Sequence, residues 1–488
     1  MIIIGLVIPR FLLLNYGSET NGFLSSVTQI ITYMSLLEAG VGTASLQALY
    51  KPVAEDNKKE ISAILSATNH FYKRTGVIYL IVVIIISIIY PIVVSNTLGP
   101  VTIVSVILVN GLSGVIAYFF QGKYKILLQA EGKNYVIANL NTVTNVLVNV
   151  SRVILINMNV SIILVQSMYL VFNILQMLYF WYYMRKNYKW LNVKDKPNFE
   201  AISQKDAVLV YQISALIFEH TDVLILTLMC DLRVVSVYSL YKTLFGMVNT
   251  LLTNVSSGFV FRLGHAYNTG RSSFRLMYDA YETYYMSIVF SIHTVAYIFI
   301  LPFLKLYTAG ITDIEYIDSK LSLMFLIIGL LSCGRMTSAN AINYAGKFKA
   351  TQNRAVLESV INLAVTIVGT HFIGIYGALL GTIVALLYRT NDMIIYSAKH
   401  ILKDSCFKTY KRWLCNVPVF AVIVVIWDKF SFEMNSYLSL LLIATIVSII
   451  IFAIYLIVDS IMELQVCKVV IRYIVNIVKK KLFKQKGA

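Results

Sequence analysis

The strongest constraint on this chain is one repeated pattern. Apolar runs of about 20 residues, nearly free of charge, follow one another from end to end. Each is long enough to cross a hydrocarbon core of roughly 30 Å as a helix. A transmembrane β-barrel would instead show short segments alternating apolar and polar residues, and the chain has none. The spans must be helices, because lipid offers backbone N–H and C=O groups no partner. Composition agrees. Of 488 residues, 58% are hydrophobic and 13% charged, about half the charged share of a soluble domain. A soluble enzyme and a disordered chain are both excluded.

The expected spans lie roughly at 1–14, 23–49, 75–98, 101–128, 135–157, 160–184, 207–229, 234–260, 284–306, 320–345, 353–373, 375–398, 413–430 and 437–458. The fold class is therefore all-α polytopic, with about 14 transmembrane helices. The first span is short, about 21 Å at helical rise, and carries Pro9 and Arg10. It lacks the basic start and small-residue cleavage site of a signal peptide, so it reads as truncated or as entering the bilayer partway.

Loop charges set the orientation. Alternate connections carry Lys51, Lys58, Lys59, Lys73 and Arg74, later Arg185, Lys186 and Lys189, later Lys399, Lys403, Lys408 and Lys411. The connections between them carry only Arg233, Lys305, Lys320 and Lys429. This asymmetry predicts both termini in the cytoplasm. It also explains the net charge of +17 as loops facing anionic lipid. No basic polar stretch is interleaved with aromatics, so nucleic acid is not an expected partner, whereas membrane lipids are. The five cysteines are scattered without a C-x-x-C pair, so neither a metal nor a disulfide framework is expected.

Two internal segments read as amphipathic and interfacial. In 52–74, Ile61, Ile64, Leu65, Thr68, Phe71 and Tyr72 share one helical face. In the tail, Ile471, Ile474, Val475, Val478 and Leu482 do so beside Arg472, Lys479 and Lys480. The chain also resembles itself. Gln-Ala-Glu-Gly-Lys at 129–133 pairs with Asn-Tyr-Ala-Gly-Lys at 343–347, and 21–50 aligns with 237–266 at nearly the same offset. Six helices per repeat keep the two halves in the same orientation. The expected organisation is two pseudo-symmetric six-helix bundles, 1–205 and 206–405, an extra helix pair at 406–460, and a basic amphipathic cytoplasmic tail at 461–488.

The N-terminal run IPRFLLLNYGSETNGFLSSVTQIITYMSLLEAGVG resembles bacterial oligosaccharide flippases of the polysaccharide biosynthesis family. That family lies in the MATE-like multidrug/oligosaccharidyl-lipid/polysaccharide (MOP) superfamily. HTDVLILTLMCDLRVVSVYSLYKTL is similar to the start of the family's second half, and LQAEGK, INYAGK, KPVAEDN and SAILSATNHFYKRTG fit the same order. The resemblance covers roughly residues 1–400. Relatives begin their first helix earlier, which agrees with truncation. The resemblance implies a non-enzymatic flippase in the bacterial cytoplasmic membrane. Its substrate would be an undecaprenyl-pyrophosphate-linked oligosaccharide, moved by alternating access for cell-surface polysaccharide biosynthesis. A polysaccharide polymerase and glycosyltransferases would be its functional partners.

Charges at bilayer depth cost roughly 2.5–3.5 kcal/mol and usually face a wet cavity or a partner. Arg10, Arg152, Lys242 and Arg335 are the candidate anion path, since Arg forks and Lys point charges suit a pyrophosphate. The Pro-Arg pair of the first helix resembles a family feature, which favours Arg10. Glu38, Glu219, Asp222 and Glu358 are the ion-coupling candidates. Glu219 and Asp222, three apart, share a helix face and would resist double ionisation, as a proton or Na⁺ site requires. Arg389 and Asp392, also three apart, can neutralise each other. The Asn141, Asn145, Asn149 and the Thr28, Thr32, Ser35 stripes line sugars or glue helices together. No cofactor or metal is expected, and H⁺ or Na⁺ coupling is the remaining energy source. The alternative is a MATE-like ion-coupled multidrug exporter. A polytopic enzyme is disfavoured by short external loops, dispersed histidines, and the lack of a nucleophile motif, a P-loop or metal-ligand spacing.

Overall fold

The computed structural model describes residues 2–37, 40–94, 96–193, 195–202, 205–269, 271–430, 434–472 and 475, with side chains for all but 2–4, 37, 205–215, 271–273 and 348–349. The described residues are almost wholly helical and include no strand. The helices are α1 Ile2–Met34, α2 Val41–Ala54, α3 Lys58–Val93, α4 Pro100–Ala130, α5 Asn134–Asn157, α6 Ile162–Asn187, α7 Lys205–Met229 and α8 Leu232–Thr269. There follow α9 Arg271–Tyr307, α10 Ser319–Tyr344, α11 Phe348–Ile373, α12 Ile375–Leu402, α13 Phe407–Trp427, α14 Tyr437–Met462 and a stretch at 464–472, α15. Among the described residues, ten helices are long and apolar enough to cross a membrane. Large apolar side chains such as Ile92, Phe261, Phe372 and Ile449 point outward and are 66–80% exposed, a surface that lipid covers and water would not tolerate. The chain is a multi-pass membrane protein.

Two helices at the N-terminus depart from the sequence-based expectation. The expected first span and the beginning of the second form one element, α1, which passes through a kink at Gly17 (φ 79°), while the later part of the second falls in α2. Glycine meets this left-handed conformation without a Cβ penalty. The helix restarts at Ser18, whose N–H and hydroxyl donate to Asp313 at 2.8 and 2.7 Å. That places a carboxylate at the positive end of the new helix. The amphipathic segment 52–74 is also not a separate interfacial helix. Most of it is the first part of α3, and Ile61, Ile64, Leu65, Thr68 and Tyr72 are buried in protein. The face is hidden, but by α2, α4 and their neighbours rather than by headgroups. Of the tail face, Ile471 and Val475 are exposed; Ile474, Val478, Leu482, Lys479 and Lys480 lie outside the described residues.

The chain divides into two compact units. The first comprises Met1–Leu240, Gly310–Ile314 and Thr366–Ala378. One of its cores gathers Leu49, Ile64, Leu65, Tyr79, Leu127 and Phe180 from α2, α3, α4 and α6. Another gathers Ile8, Phe23, Tyr90, Ile103, Val165 and Leu232. Within this unit α11 and α12 meet backbone to backbone. A Cβ on Gly377 would lie 1.9 Å from the Gly369 carbonyl carbon, the small-residue contact that membrane helices use.

The second unit comprises Tyr241–Ala309, Glu315–Val365 and Leu379–Ala488. Its axis is α9, packed along α10, α13 and α14. Tyr241 and Phe245 stack on Phe325 at 5.7 Å. The Tyr241 hydroxyl donates to the Tyr316 carbonyl at 2.9 Å, tying α8 to the entry of α10. Asp318 caps α10, accepting from the N–H groups of Lys320 and Leu321. Among the described residues all five cysteines are free.

Candidate functional site

The second unit holds a five-membered charge network inside its helices. Arg335 interrupts α10, lying between two helical segments with a φ of −71° and ψ of −13°. Its Nη1 donates to Glu358 Oε1 on α11 at 2.5 Å. Glu358 Oε2 lies 3.5 Å from Arg389 Nε on α12, and Arg389 pairs with Asp392 at 2.7 Å. Arg354, one turn before Glu358, closes the chain by bonding Asp392 and lies over the Tyr396 ring. Among the described residues, three guanidinium groups thus face two carboxylates. Glu358 and Arg389 are buried, whereas the Arg335 side chain is 19% exposed. Among the described residues the network carries an excess positive charge, and its outer arginines, Arg354 and Arg335, are 41% and 19% exposed.

Arg335, Glu358, Arg389 and Asp392 were each legible as intramembrane charges, and the Arg389–Asp392 pair follows from its spacing. Arg335 is not a free cationic side chain, however. It is held by an acid expected to serve in ion coupling.

The first unit holds Arg10, Arg152, Glu219 and Asp222. Arg152 is buried and donates to the Tyr169 hydroxyl at 2.9 Å, bridging α5 to α6. Its Nε makes no hydrogen bond among the described residues. Arg10 is half-buried on α1. Glu219 and Asp222 do not behave as a carboxylate pair. The Glu219 side chain is 67% exposed, 3.7 Å from His220, while Asp222 is 3% exposed. Of the two, only the later residue is buried. Asp222 accepts from Tyr238 Oη at 2.7 Å and from Thr366 Oγ1 at 3.5 Å. The Thr366 hydroxyl also lies 3.4 Å from the Ala378 carbonyl. A buried carboxylate that meets two hydroxyls offers hard oxygen atoms suited to a proton or a monovalent cation. His220 reaches Gln29 at 2.6 Å, and Tyr33 bonds Thr221. Lys242 is half-buried on α8 in the second unit. Glu38 lies outside the described residues.

Asn141 accepts from Gln176 at 2.7 Å, joining α5 to α6. Thr28, Thr32 and Ser35 donate to backbone carbonyls of their own helix.

One charged group was missed. Arg412, on α13, is 1% exposed and bonds Glu282 and Asp279 of α9, with Glu463 at 3.3 Å. Beside it Asn416 donates to Asp459 of α14 at 3.1 Å, and Ser287 bonds the same carboxylate. The expected spans began at 284 and 413 and ended at 458, so each excluded its charge. The i,i+3 pair Asp279–Glu282 and the i,i+4 pair Arg412–Asn416 were the available signal.

Two clusters lie in connections outside the spans. At the 131–133 turn, Lys133 Nζ lies 2.8 Å from Glu131 and 2.9 Å from the Tyr188 hydroxyl. The bond to Glu131, then that to Tyr188, holds the Lys133 ammonium above its ordinary range. Burial, then the Glu131 carboxylate, pushes the Tyr188 phenol up. Between α12 and α13, Asp404 pairs with Lys408 at 2.7 Å and with Arg275.

No family model and no curated protein sequence matches the chain. Solved structures do. The lipid II flippase MurJ in its inward closed conformation aligns with a TM-score of 0.71 at 15% identity, over 96% of this chain and 97% of that one. An inward-facing multidrug resistance MATE family transporter of the MOP superfamily gives 0.66 at 14% identity, over 83% and 96%. The MATE multidrug transporter DinF-BH gives 0.56 at 15% identity, over 82% and 92%. The chain therefore has the all-helical fold of MOP-type transporters.

Proposed function

We propose that this protein is a membrane transporter that flips a lipid-linked, pyrophosphate-bearing oligosaccharide across the bacterial cytoplasmic membrane by alternating access. The observation that carries the reading is the charge excess around Arg335. Phosphate oxygens compete with Glu358 for the Arg335 fork, in a charge-assisted geometry worth about 1.5–3 kcal/mol per bond. Glu358 is not abandoned when Arg335 turns away, because Arg389 still faces it. That matters, since an uncompensated buried charge costs about 3–5 kcal/mol. The network lets Arg335 engage an anion and release it again. Arg10, Arg152 and Lys242 extend the same role as further stations, and Asp222 is the coupling residue. Fold likeness to a lipid II flippase over nearly the whole chain supports the reading.

The test is the leaflet distribution of lipid-linked sugar, read with a membrane-impermeant glycan-modifying reagent. Depletion of the protein is expected to leave the sugar on the cytoplasmic leaflet. Arg335→Gln should reproduce that build-up at normal protein levels, and Arg335→Lys only in part. Normal outer-leaflet supply in Arg335→Gln would remove the residue from the mechanism.

A second reading, a cation-coupled multidrug exporter, is favoured by the buried Asp222 and by the MATE-like neighbours. It requires depletion to abolish drug extrusion while the leaflet distribution stays unchanged.

A further inference from the structure

A cavity of about 590 Å³ lies within the second unit, between α8, α9 and α15. Its walls are apolar: Phe259 and Leu263 from α8, Leu276, Met277 and Ile288 from α9, and Val470 from α15. Three tyrosines of α9 complete it, and their hydroxyls are engaged away from the space. Tyr281 bonds Ser256 at 2.6 Å, Tyr284 lies 3.3 Å from Ser460, and Tyr285 donates to the Leu252 carbonyl at 3.4 Å. What remains is an unbroken hydrocarbon-like lining. At its rim stands a charged residue, Arg262, which is exposed. Arg262 lies seven residues before the end of α8, about 10 Å at helical rise, within snorkelling reach of a headgroup layer. The wall helix α15 carries Lys468 and Arg472, four residues apart.

We propose that this cavity is a binding site for one acyl chain of an anionic phospholipid, whose headgroup is held at Arg262. Apolar lining and rim charge together select the occupant. Two of its wall helices, α8 and α9, are long and apolar enough to span the membrane, and the third, α15, belongs to the amphipathic tail, so the cavity is open to hydrocarbon near the membrane surface. A space of about 590 Å³ is large enough for at least one fatty acyl chain. Basic groups on both α8 and α15 attract a headgroup with net negative charge. Such a lipid fixes α15 against α8 and α9, so lipid composition would govern how the C-terminal segment is held. This site shares no residue with the Arg335 network and stands independently of the transport reading.

The full chain in phosphatidylcholine nanodiscs, doped with phosphatidylglycerol carrying a diazirine near the end of one acyl chain, provides the test. Photolabel is expected on Met277, Ala280 and Val470. Excess unlabelled phosphatidylglycerol should remove it several-fold more effectively than the same excess of phosphatidylcholine. Arg262→Gln should abolish that headgroup preference while the protein still unfolds at the wild-type temperature. Leu276→Trp, which fills the cavity from a position already 42% exposed, should remove the label itself. Three results would overturn the proposal: label spread evenly over lipid-facing positions such as Ile446 and Ile449, an unchanged headgroup preference in Arg262→Gln, or displacement by a polyprenyl pyrophosphate in preference to phosphatidylglycerol.

Discussion

Arg412 shows how a single residue can hold several helices. Its guanidinium is engaged by Glu282, Asp279 and Glu463, so α9, α13 and the end of α14 converge on one cation. Glu282 is 1% exposed and also accepts from Thr409 at 2.9 Å. Removing the cation leaves that carboxylate buried without its main counter-charge, which costs about 3–5 kcal/mol. Arg412→Ala is therefore expected to lower the unfolding temperature of the detergent-solubilised protein sharply. Adding Glu282→Gln should recover part of the loss, and no recovery would mean that packing rather than charge is at stake. Asp404 makes a gentler case in a connection. Burial alone would raise its carboxyl, but bonds from Lys408, the Ser405 N–H and Arg275 outweigh it and push it down to about 2. A depressed carboxylate contributes stability that is present above its ordinary value of about 4 and lost as pH falls through about 2. Lys408 and Arg275 are nearly half-exposed, so solvent screening leaves about 1 kcal/mol. Asp404→Asn should cost that much at neutral pH and flatten the acid limb of the stability curve between about pH 4 and about pH 2. An unchanged acid limb would show that the pair contributes nothing.

Among the elements, the meeting of α11 and α12 is the least forgiving. With a Cβ on Gly377 placed 1.9 Å from the Gly369 backbone, Gly377→Leu must force the helices apart, at a cost of about 1–3 kcal/mol. Ala378, the next residue, offers its carbonyl to Thr366, and Thr366 faces Asp222. If Asp222 is the coupling residue, as proposed, the same substitution should weaken ion binding there as well as stability. A Gly377→Leu protein with normal unfolding temperature would contradict the close contact. The helices themselves were legible, because apolar runs of spanning length have few alternatives in lipid. Their ends were not. At Gly17 the sequence reads as a connection between two spans, yet the chain runs on as a kinked helix once Asp313 meets its restart. The face of Ile61, Ile64 and Leu65 was legible as hidden, but periodicity does not say whether lipid or protein hides it. The candidate site divides the same way. A local pair such as Arg389–Asp392 follows from i,i+3 spacing, whereas Arg335 and Glu358 lie on different helices, 23 residues apart. Only the relative register of α10 and α11 brings them together, and single-chain spacing does not contain it.

At the scale of the molecule, an ion that drives transport must also stabilise the state that binds it. Binding to the folded state alone adds RT ln(1 + [L]/Kd), about 2.7 kcal/mol at a hundredfold excess over Kd. Asp222 supplies the fixed charge that the ligand would meet, with the Tyr238 and Thr366 hydroxyls beside it. If Na⁺ is the coupling ion, replacing choline chloride with sodium chloride at constant ionic strength raises the unfolding temperature. If a proton is, stability instead rises as pH falls, with no sodium response. Asp222→Asn keeps the side chain's size and its accepting oxygen but removes the charge, and it is expected to erase whichever response the wild type shows. Glu219→Gln, at an exposed position, is expected to leave that response intact. The two carboxylates read alike in the sequence, so this contrast asks directly whether burial decides which of them couples. A response that survives in Asp222→Asn but vanishes in Glu219→Gln would move the coupling site to the surface of α7 and take the buried carboxylate out of the transport cycle.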